Sequence, residues 1–169
     1  MNIREATKED VTALNQLVNS AYRGDSSRKG WTTEADLLDG IRTSEESLAE
    51  MIGRHNAVML VAMEEGQIQA CVYLEKQGSH LYLGMLTVDP NLQGRGLGAL
   101  LMQAAEKRAI ALGCPKIKMT VITSRAELIA YYERKGFRDT GEREAFPDDP
   151  KFGIPKKPLE FLVMEKEIS

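Results

Sequence analysis

Val88-Asp89-Pro90-Asn91-Leu92-Gln93-Gly94-Arg95-Gly96-Leu97-Gly98 decides how this chain is read. The run before it, Leu81 to Val88, is rich in strand-forming residues and ends at a Pro-marked turn. An apolar, helix-forming stretch begins at Leu97. Between the two, Gly94, Gly96 and Gly98 alternate. Lacking Cβ atoms, these glycines let the backbone turn sharply and leave its N–H groups uncovered. Bare amides at the positive end of a helix form an anion site suited to a pyrophosphate. The stretch therefore predicts a strand, a phosphate cradle and a helix, in that order.

The neighbouring sequence narrows whose phosphate is meant. Gly94-x-Gly96-x-x-Ala99 also fits the dinucleotide fingerprint. That fingerprint needs an acid about 20 residues on to hold a ribose hydroxyl. Here the following strand offers Lys116, Lys118 and Thr120 instead. A nucleoside-triphosphate loop is excluded because no Gly-Lys-Ser/Thr follows. A plain tight turn would not need three alternating glycines, given the entropy each loses on folding.

Outward from the loop, hydrophobic periodicity sets the elements. Toward the N-terminus, Ala57 to Met63 is a nearly unbroken apolar run, and Glu65-Gly66 is a turn. Ile68, Ala70, Val72 and Leu74 then alternate, which makes a hairpin with a central first strand. Gln77-Gly78-Ser79 turns into the Leu81–Val88 strand. Earlier still, Asn2 to Ala6 reads as a first strand. Thr7 with Asp10 three residues on reads as a helix N-cap before Val11, Leu14, Leu17 and Val18. Thr33 is read as capping a short helix from Glu34 to Leu38, and Ser44 as capping another.

Toward the C-terminus, Leu97, Leu100, Leu101, Ala104, Ala105, Arg108 and Leu112 share a helical face that Gly113 closes. Ile117 to Ile122 reads as a strand, and a helix runs from Ser124 through Lys135 with Gly136 at its C′ position. Phe137 starts another strand, and Leu159 to Lys166 is the last. Between them, Pro147, Pro150, Gly153, Pro155 and Pro158 force an irregular excursion. The order predicts an α/β (α+β) fold, one mixed sheet with helices on its faces. No repeat or linker divides the chain, so residues 1–169 are expected to form a single domain.

Composition agrees with an ordinary globular protein. The chain has 169 residues, 43% of them apolar, and a formal net charge of −3. No basic block of five or more residues occurs, so nucleic-acid binding lacks its electrostatic footprint. The polar start Met1-Asn2-Ile3-Arg4-Glu5 shows no secretory signal. No apolar run approaches the roughly 18 residues of a membrane span. Cys71 and Cys114 lie in apolar contexts and read as buried thiols, which fits the cytoplasm. His55 and His80 are the only histidines, and neither has the spacing of a metal site.

Two segments together carry a resemblance. Gln93-Gly94-Arg95-Gly96-Leu97-Gly98, with Val88-Asp89-Pro90 upstream, resembles the acyl-CoA pyrophosphate loop of the GNAT N-acetyltransferases. Their signature, Gln/Arg-x-x-Gly-x-Gly/Ala, is met by Gln93, Gly96 and Gly98. Ala130-Tyr131-Tyr132-Glu133-Arg134-Lys135-Gly136-Phe137 resembles their later helix, which ends in Tyr-x-x-x-Gly-Phe. The resemblance covers roughly Ala57 to the C-terminus.

It implies a mostly antiparallel sheet of about seven strands. It also implies an acetyltransferase that uses acetyl-CoA as co-substrate, without metal, to acetylate a small-molecule or peptide amine. The main-chain amides of Gln93, Gly94, Arg95, Gly96, Leu97, Gly98 and Ala99 would hold the pyrophosphate. The edge Leu86, Thr87 and Val88 would pair with the pantetheine arm in a V opening toward Lys116–Ile122. An N–H near Leu86 would polarise the thioester carbonyl. Tyr132 would serve the leaving thiolate, and Arg125 stands where many relatives have an asparagine that contacts the cofactor.

Met85 and Thr87 stand where many relatives place a carboxylate, which leaves Glu75 as the candidate base beside a water relay. Tyr22, Trp31 and Glu34, with Asp36, lie in the region that usually roofs the acceptor, and their aromatic-plus-acid content suits an amine. A homodimer through the last strand is compatible with the fold. Two readings stay open: a working acetyltransferase, and a non-catalytic acyl-CoA-binding sensor on the same fold.

Overall fold

The structure is a computed structural model that describes residues 2–22, 38–39, 43–92, 95–145, 154–155 and 160–168. Strand β1 (Asn2–Glu5) leads into a short 3-10 turn, Lys8–Asp10, and helix α1 (Val11–Tyr22). The expected cap is present: Thr7 accepts from the Glu9 amide at 3.3 Å, and Asp10 accepts from the Thr7 amide at 2.8 Å. Arg4 grips both oxygens of Asp10 at 2.8 Å, tying β1 to the turn. Helix α2 (Glu45–Gly53) is capped by Ser44, which accepts from the Ser47 amide at 3.1 Å.

Leu38–Asp39 form β2, which pairs antiparallel with β8 (Ile154–Pro155). This corrects the helix expected to end at Leu38, because Leu38 is extended and backbone-paired to Pro155. The rest of that expected helix, and most of the Pro-rich excursion, lie outside the described residues.

Seven strands form the main sheet: β1, β3 (Ala57–Glu64), β4 (Gln67–Gln77), β5 (His80–Val88), β6 (Lys116–Ile122), β9 (Glu160–Glu167) and β7 (Arg138–Ala145), side by side in that order. Every pairing is antiparallel except β5 with β6. Helices α1 and α2 cover one face, with Leu14, Val18 and Leu48 packed on Met59, Val61, Cys71 and Tyr73. Helices α3 (Leu97–Ala111) and α4 (Ala126–Arg134) cover the other. There Leu101, Ala105 and Tyr132 meet Leu60, Val72, Leu83, Met119 and Met164. β3 supplies alternate residues to both layers, which explains its unbroken apolar run.

Two expectations shift by a residue or a phase. α3 buries Leu97, Gly98, Leu101, Met102, Ala105 and Ala109, while the expected Leu112 is exposed just past the helix end. The α4 helix starts at Ala126 with Arg125 as its N-cap, not at Ser124. Gly113 and Gly136 take the left-handed conformation that ends each helix, as their position required.

Candidate active site

The parallel seam between β5 and β6 is three pairs long: His80 with Lys116, Leu81 with Ile117, and Tyr82 with Lys118. Past that point β5 stays paired to β4 as far as Val88, and β6 stays paired to β9 as far as Ile122. Each strand keeps its outer partner and the two part from each other. This is the V expected between Leu81–Val88 and Lys116–Ile122. Strand edges facing such an opening can receive an extended, amide-bearing chain as an added strand.

A bulge lies in the β5 side of the V. Cys71 pairs with Thr87 and Tyr73 with Gly84, so Met85 and Leu86 together oppose the single Val72. Met85 has φ +53°, a left-handed conformation that is uncommon for a residue with a side chain. Two buried side chains hold its carbonyl: Thr87 Oγ1 donates at 2.9 Å and Cys71 Sγ at 3.7 Å. Thr87 is completely buried, so its share in any ligand contact is limited to its backbone. The bulge turns Met85 toward the α1/α2 layer and Leu86 toward the α3/α4 layer.

At the end of β5 the chain is turned by Asp89. Its side chain accepts from the Asn91 amide at 2.9 Å and its carbonyl from Leu92 at 2.8 Å, shaping the Pro90–Leu92 turn. Gln93 and Gly94 lie outside the described residues. Arg95 is exposed, and Gly96 caps α3 with φ +79° and no side chain to bond the first turn. Among the described residues nothing lies within 4 Å of where a Cβ on Gly96 would stand. Leu97, Gly98 and Ala99 form the first turn, whose N–H groups have no partner inside a helix. Open space, a glycine cap and a helix N-terminus beside the V fit a pyrophosphate whose tail runs along β5.

Tyr132 is buried in the same packed layer as Leu86 and Val88 of β5 and Met119 and Val121 of β6, the strands that flank the V. Its ring meets Phe137 edge-on at 5.9 Å and Tyr131 at 5.3 Å. Tyr131 points elsewhere: its hydroxyl lies 3.5 Å from where a Cβ on Gly98 would stand, beside the first turn of α3. Burial raises the Tyr131 pKa against the opposing pull of Arg134. Arg125 sets the start of α4, donating its amide to the Ile122 carbonyl at 3.0 Å.

Glu75 lies at the other end of β5, opposite Tyr82. Burial pushes its pKa up, but donors prevail and hold the carboxyl below its ordinary range. Those donors are Tyr73 Oη, Gln77 at 2.8 Å and Arg54 at 3.0 Å. Tyr73 is driven up to about 12 by burial and by this bond to Glu75. Trp31, Glu34 and Asp36 lie outside the described residues, and so does the side chain of Tyr22.

The Cys71–Thr87 clamp and the packing of Tyr82 over Gly84, described below, are features the sequence reading missed. A glycine inside a strand was the available signal, since it marks a close approach. Among the described residues no cluster of three His, Cys, Asp or Glu side chains is placed to hold a metal. No helix among them is long and apolar enough to cross a membrane. Cys71 and Cys114 are buried free thiols.

Comparison with known proteins agrees with this geometry. The family model "Acetyltransferase (GNAT) family" matches residues 13–137. The ribosomal-protein-S18-alanine N-acetyltransferase of Escherichia coli superposes with a TM-score of 0.72 at 19% identity, covering 99% of this chain and 94% of that one. The smu.2055 protein of Streptococcus mutans superposes at 0.76 with 15% identity over the whole of both chains. The PaiA N-acetyltransferase of Thermoplasma acidophilum, solved with coenzyme A, superposes at 0.68 with 19% identity, covering 98% of each chain. At such identities the superpositions show a shared fold, and the family model shows the kinship. The chain belongs to the GNAT acetyltransferase family, enzymes that acetylate with acetyl-CoA.

Proposed function

We propose that this chain, folded as a single domain over residues 1–169, moves an acetyl group from acetyl-CoA directly to a primary amine. The observation that carries the reading is the three-pair seam opening beside a bulge and a glycine-capped helix. In the proposed complex the amides of Gln93 through Ala99 hold the pyrophosphate. The Leu86–Val88 edge pairs with the pantetheine arm, and Arg95 and Arg125 flank it. The main-chain N–H near Leu86 polarises the thioester carbonyl, a contribution of about 3–4 kcal/mol for a well-aimed donor.

The neutral amine attacks the carbonyl carbon through a tetrahedral intermediate, the C–S bond breaks, and the thiolate leaves. Tyr132 hydrogen-bonds or protonates that thiolate. A phenol with reference pKa about 10 is a weaker acid than a thiol near 8.5, so hydrogen bonding is the larger part. Glu75 is held ionised by its three donors and is too weak a base to deprotonate an ammonium unaided. In this reading water carries the amine's proton to solvent, and Glu75 keeps the acceptor side negative. Tyr22, Trp31 and Glu34 are assigned to the acceptor roof. The setting is the cytoplasm, where buried thiols stay reduced.

The test is thiol release from acetyl-CoA with a panel of primary amines, joined to thermal melts with acetyl-CoA and with NAD. Amine-dependent release, and a melting rise with acetyl-CoA alone, are expected. Coenzyme binding without turnover on any amine would favour a sensor on the same fold.

A further inference from the structure

Tyr82 lies along its own strand. A Cβ on Gly84 would fall 2.8 Å from the Tyr82 Cε2 and from its hydroxyl, so the phenol fills the space that Gly84 leaves empty. Leu81 and Leu83 face the α3/α4 layer, while Tyr82 packs with the opposite layer, edge-on to Tyr73 at 6.4 Å. Gly84 directly precedes Met85, the strained residue of the bulge. The Tyr82 hydroxyl thus sits on the side of the sheet away from α3, against Gly84 and just ahead of the bulge.

Directly across the seam is Lys118, the last residue of β6 paired to β5. It is half-buried and shares a face with Thr120, two residues further into the opening, because Ile117, Met119 and Val121 face the other layer. The residue paired with Lys118 on β9 is Glu165, which is buried. That carboxylate is already engaged by Arg138, and by Lys116 at 3.5 Å. Lys118 has no ion-pair partner among the described residues. The Lys118 ammonium and the Tyr82 phenol are donors placed opposite each other across the seam, and the carboxylates paired on their outer sides, Glu165 and Glu75, are already engaged by other donors.

We propose that Lys118 and Tyr82 form a subsite for a carboxylate carried by the acceptor, so that the substrate is an amine and an acid in one molecule, an amino acid or a peptide. This rests on the acetyl-transfer reading and narrows it. A carboxylate accepting from an ammonium and a phenol makes charge-assisted bonds, stronger than neutral ones. Seated at the apex of the V, it holds the amine over the bulge.

Matched pairs of acceptors test it: amino acids against their carboxamides, and dipeptides with free against amidated C-termini, by thiol release from acetyl-CoA. The carboxylated member of a pair is expected to lead by about tenfold in kcat/KM, mainly through KM. Lys118→Gln should close that gap, Lys118→Arg should keep most of it, and Gly84→Ala, which displaces the phenol, should narrow it. Equal rates for both members in the wild type, or a gap that survives Lys118→Gln, would overturn the subsite while leaving acetyl transfer intact. Turnover of other primary amines with none of either member would also overturn the subsite alone, whereas absence of coenzyme binding by calorimetry would sink the wider reading and this one with it.

Discussion

The hydroxyl of Thr87 donates a 2.9 Å hydrogen bond to the carbonyl of Met85, two residues back on the same strand. The carbonyl belongs to a residue at φ +53°, a conformation that costs about 1–3 kcal/mol unless its surroundings hold it. With Cys71 as a second donor, the clamp fixes the direction of the peptide that joins Met85 to Leu86. Thr87→Val keeps the shape and deletes the donor. A fall in kcat of about tenfold is expected, with coenzyme affinity within about twofold of wild type, because a misaimed donor costs transition-state and not ground-state binding. Thr87→Ser should restore most of the rate. Steady-state kinetics paired with calorimetry decides it, and equal loss in both variants would reduce the clamp to packing.

The two adjacent tyrosines should separate by phenotype. Tyr132→Phe is expected to lower turnover by about a hundredfold while leaving coenzyme affinity nearly intact. Tyr131→Phe acts at the first turn of α3, where its hydroxyl sits near Gly98. Its effect should appear in coenzyme affinity and not in the chemical step. Single-turnover rates and coenzyme titrations of both variants give the comparison, and unchanged turnover in Tyr132→Phe would remove its assigned role.

Asp10 gives a pH dependence of stability with a definite sign. Its hydrogen bonds from Arg4 lower its pKa from 3.8 to about 2, against the effect of burial. Below the unfolded value the unfolded chain binds a proton that the folded chain refuses. The contribution is therefore full above about pH 4 and is lost as pH falls toward 2. Because Arg4 is largely solvent-exposed, screening trims it to about 1–2 kcal/mol. In urea titrations at pH 7 and pH 2.5, Asp10→Asn should lose stability at pH 7 and converge with wild type at the acid end.

His80 offers a direct view of the seam. Burial first, and then the charge of Lys118, hold its pKa below 6.5, opposed by Glu165. With two histidines in the chain, its imidazole resonances are simple to assign by His80→Asn. Lys118→Gln should raise the titration midpoint of His80, while Lys118→Arg should leave it low. A midpoint indifferent to Lys118 would mean that the two groups do not share the face described.

The site was unevenly legible in the sequence, and the reasons are physical. Gly96 and Gly136 were readable because a left-handed backbone selects glycine whatever surrounds it. The strands β4 to β6 were readable because burial sets their pattern, and β3 because burial on both faces leaves it an unbroken apolar run. The bulge was not readable: nothing local in Met85-Leu86 says that two residues will face Val72, since that depends on register with β4. The fixed state of Glu75 escaped for the same reason, because Arg54 arrives from the end of α2. Leu38 was misread because pairing with Pro155 overrides a helical pattern five residues long.

In the proposed complex the three-pair seam makes the coenzyme part of the architecture. Four strands stand on one side of it and three on the other, each group laced internally by longer ladders. A guest lying between them supplies the rungs that the polypeptide omits, and so works as an eighth strand as well as a reactant. Occupancy should then slow solvent exchange along the inner margin of Leu83–Val88, coupling catalytic readiness to the rigidity of the whole barrier between the two halves.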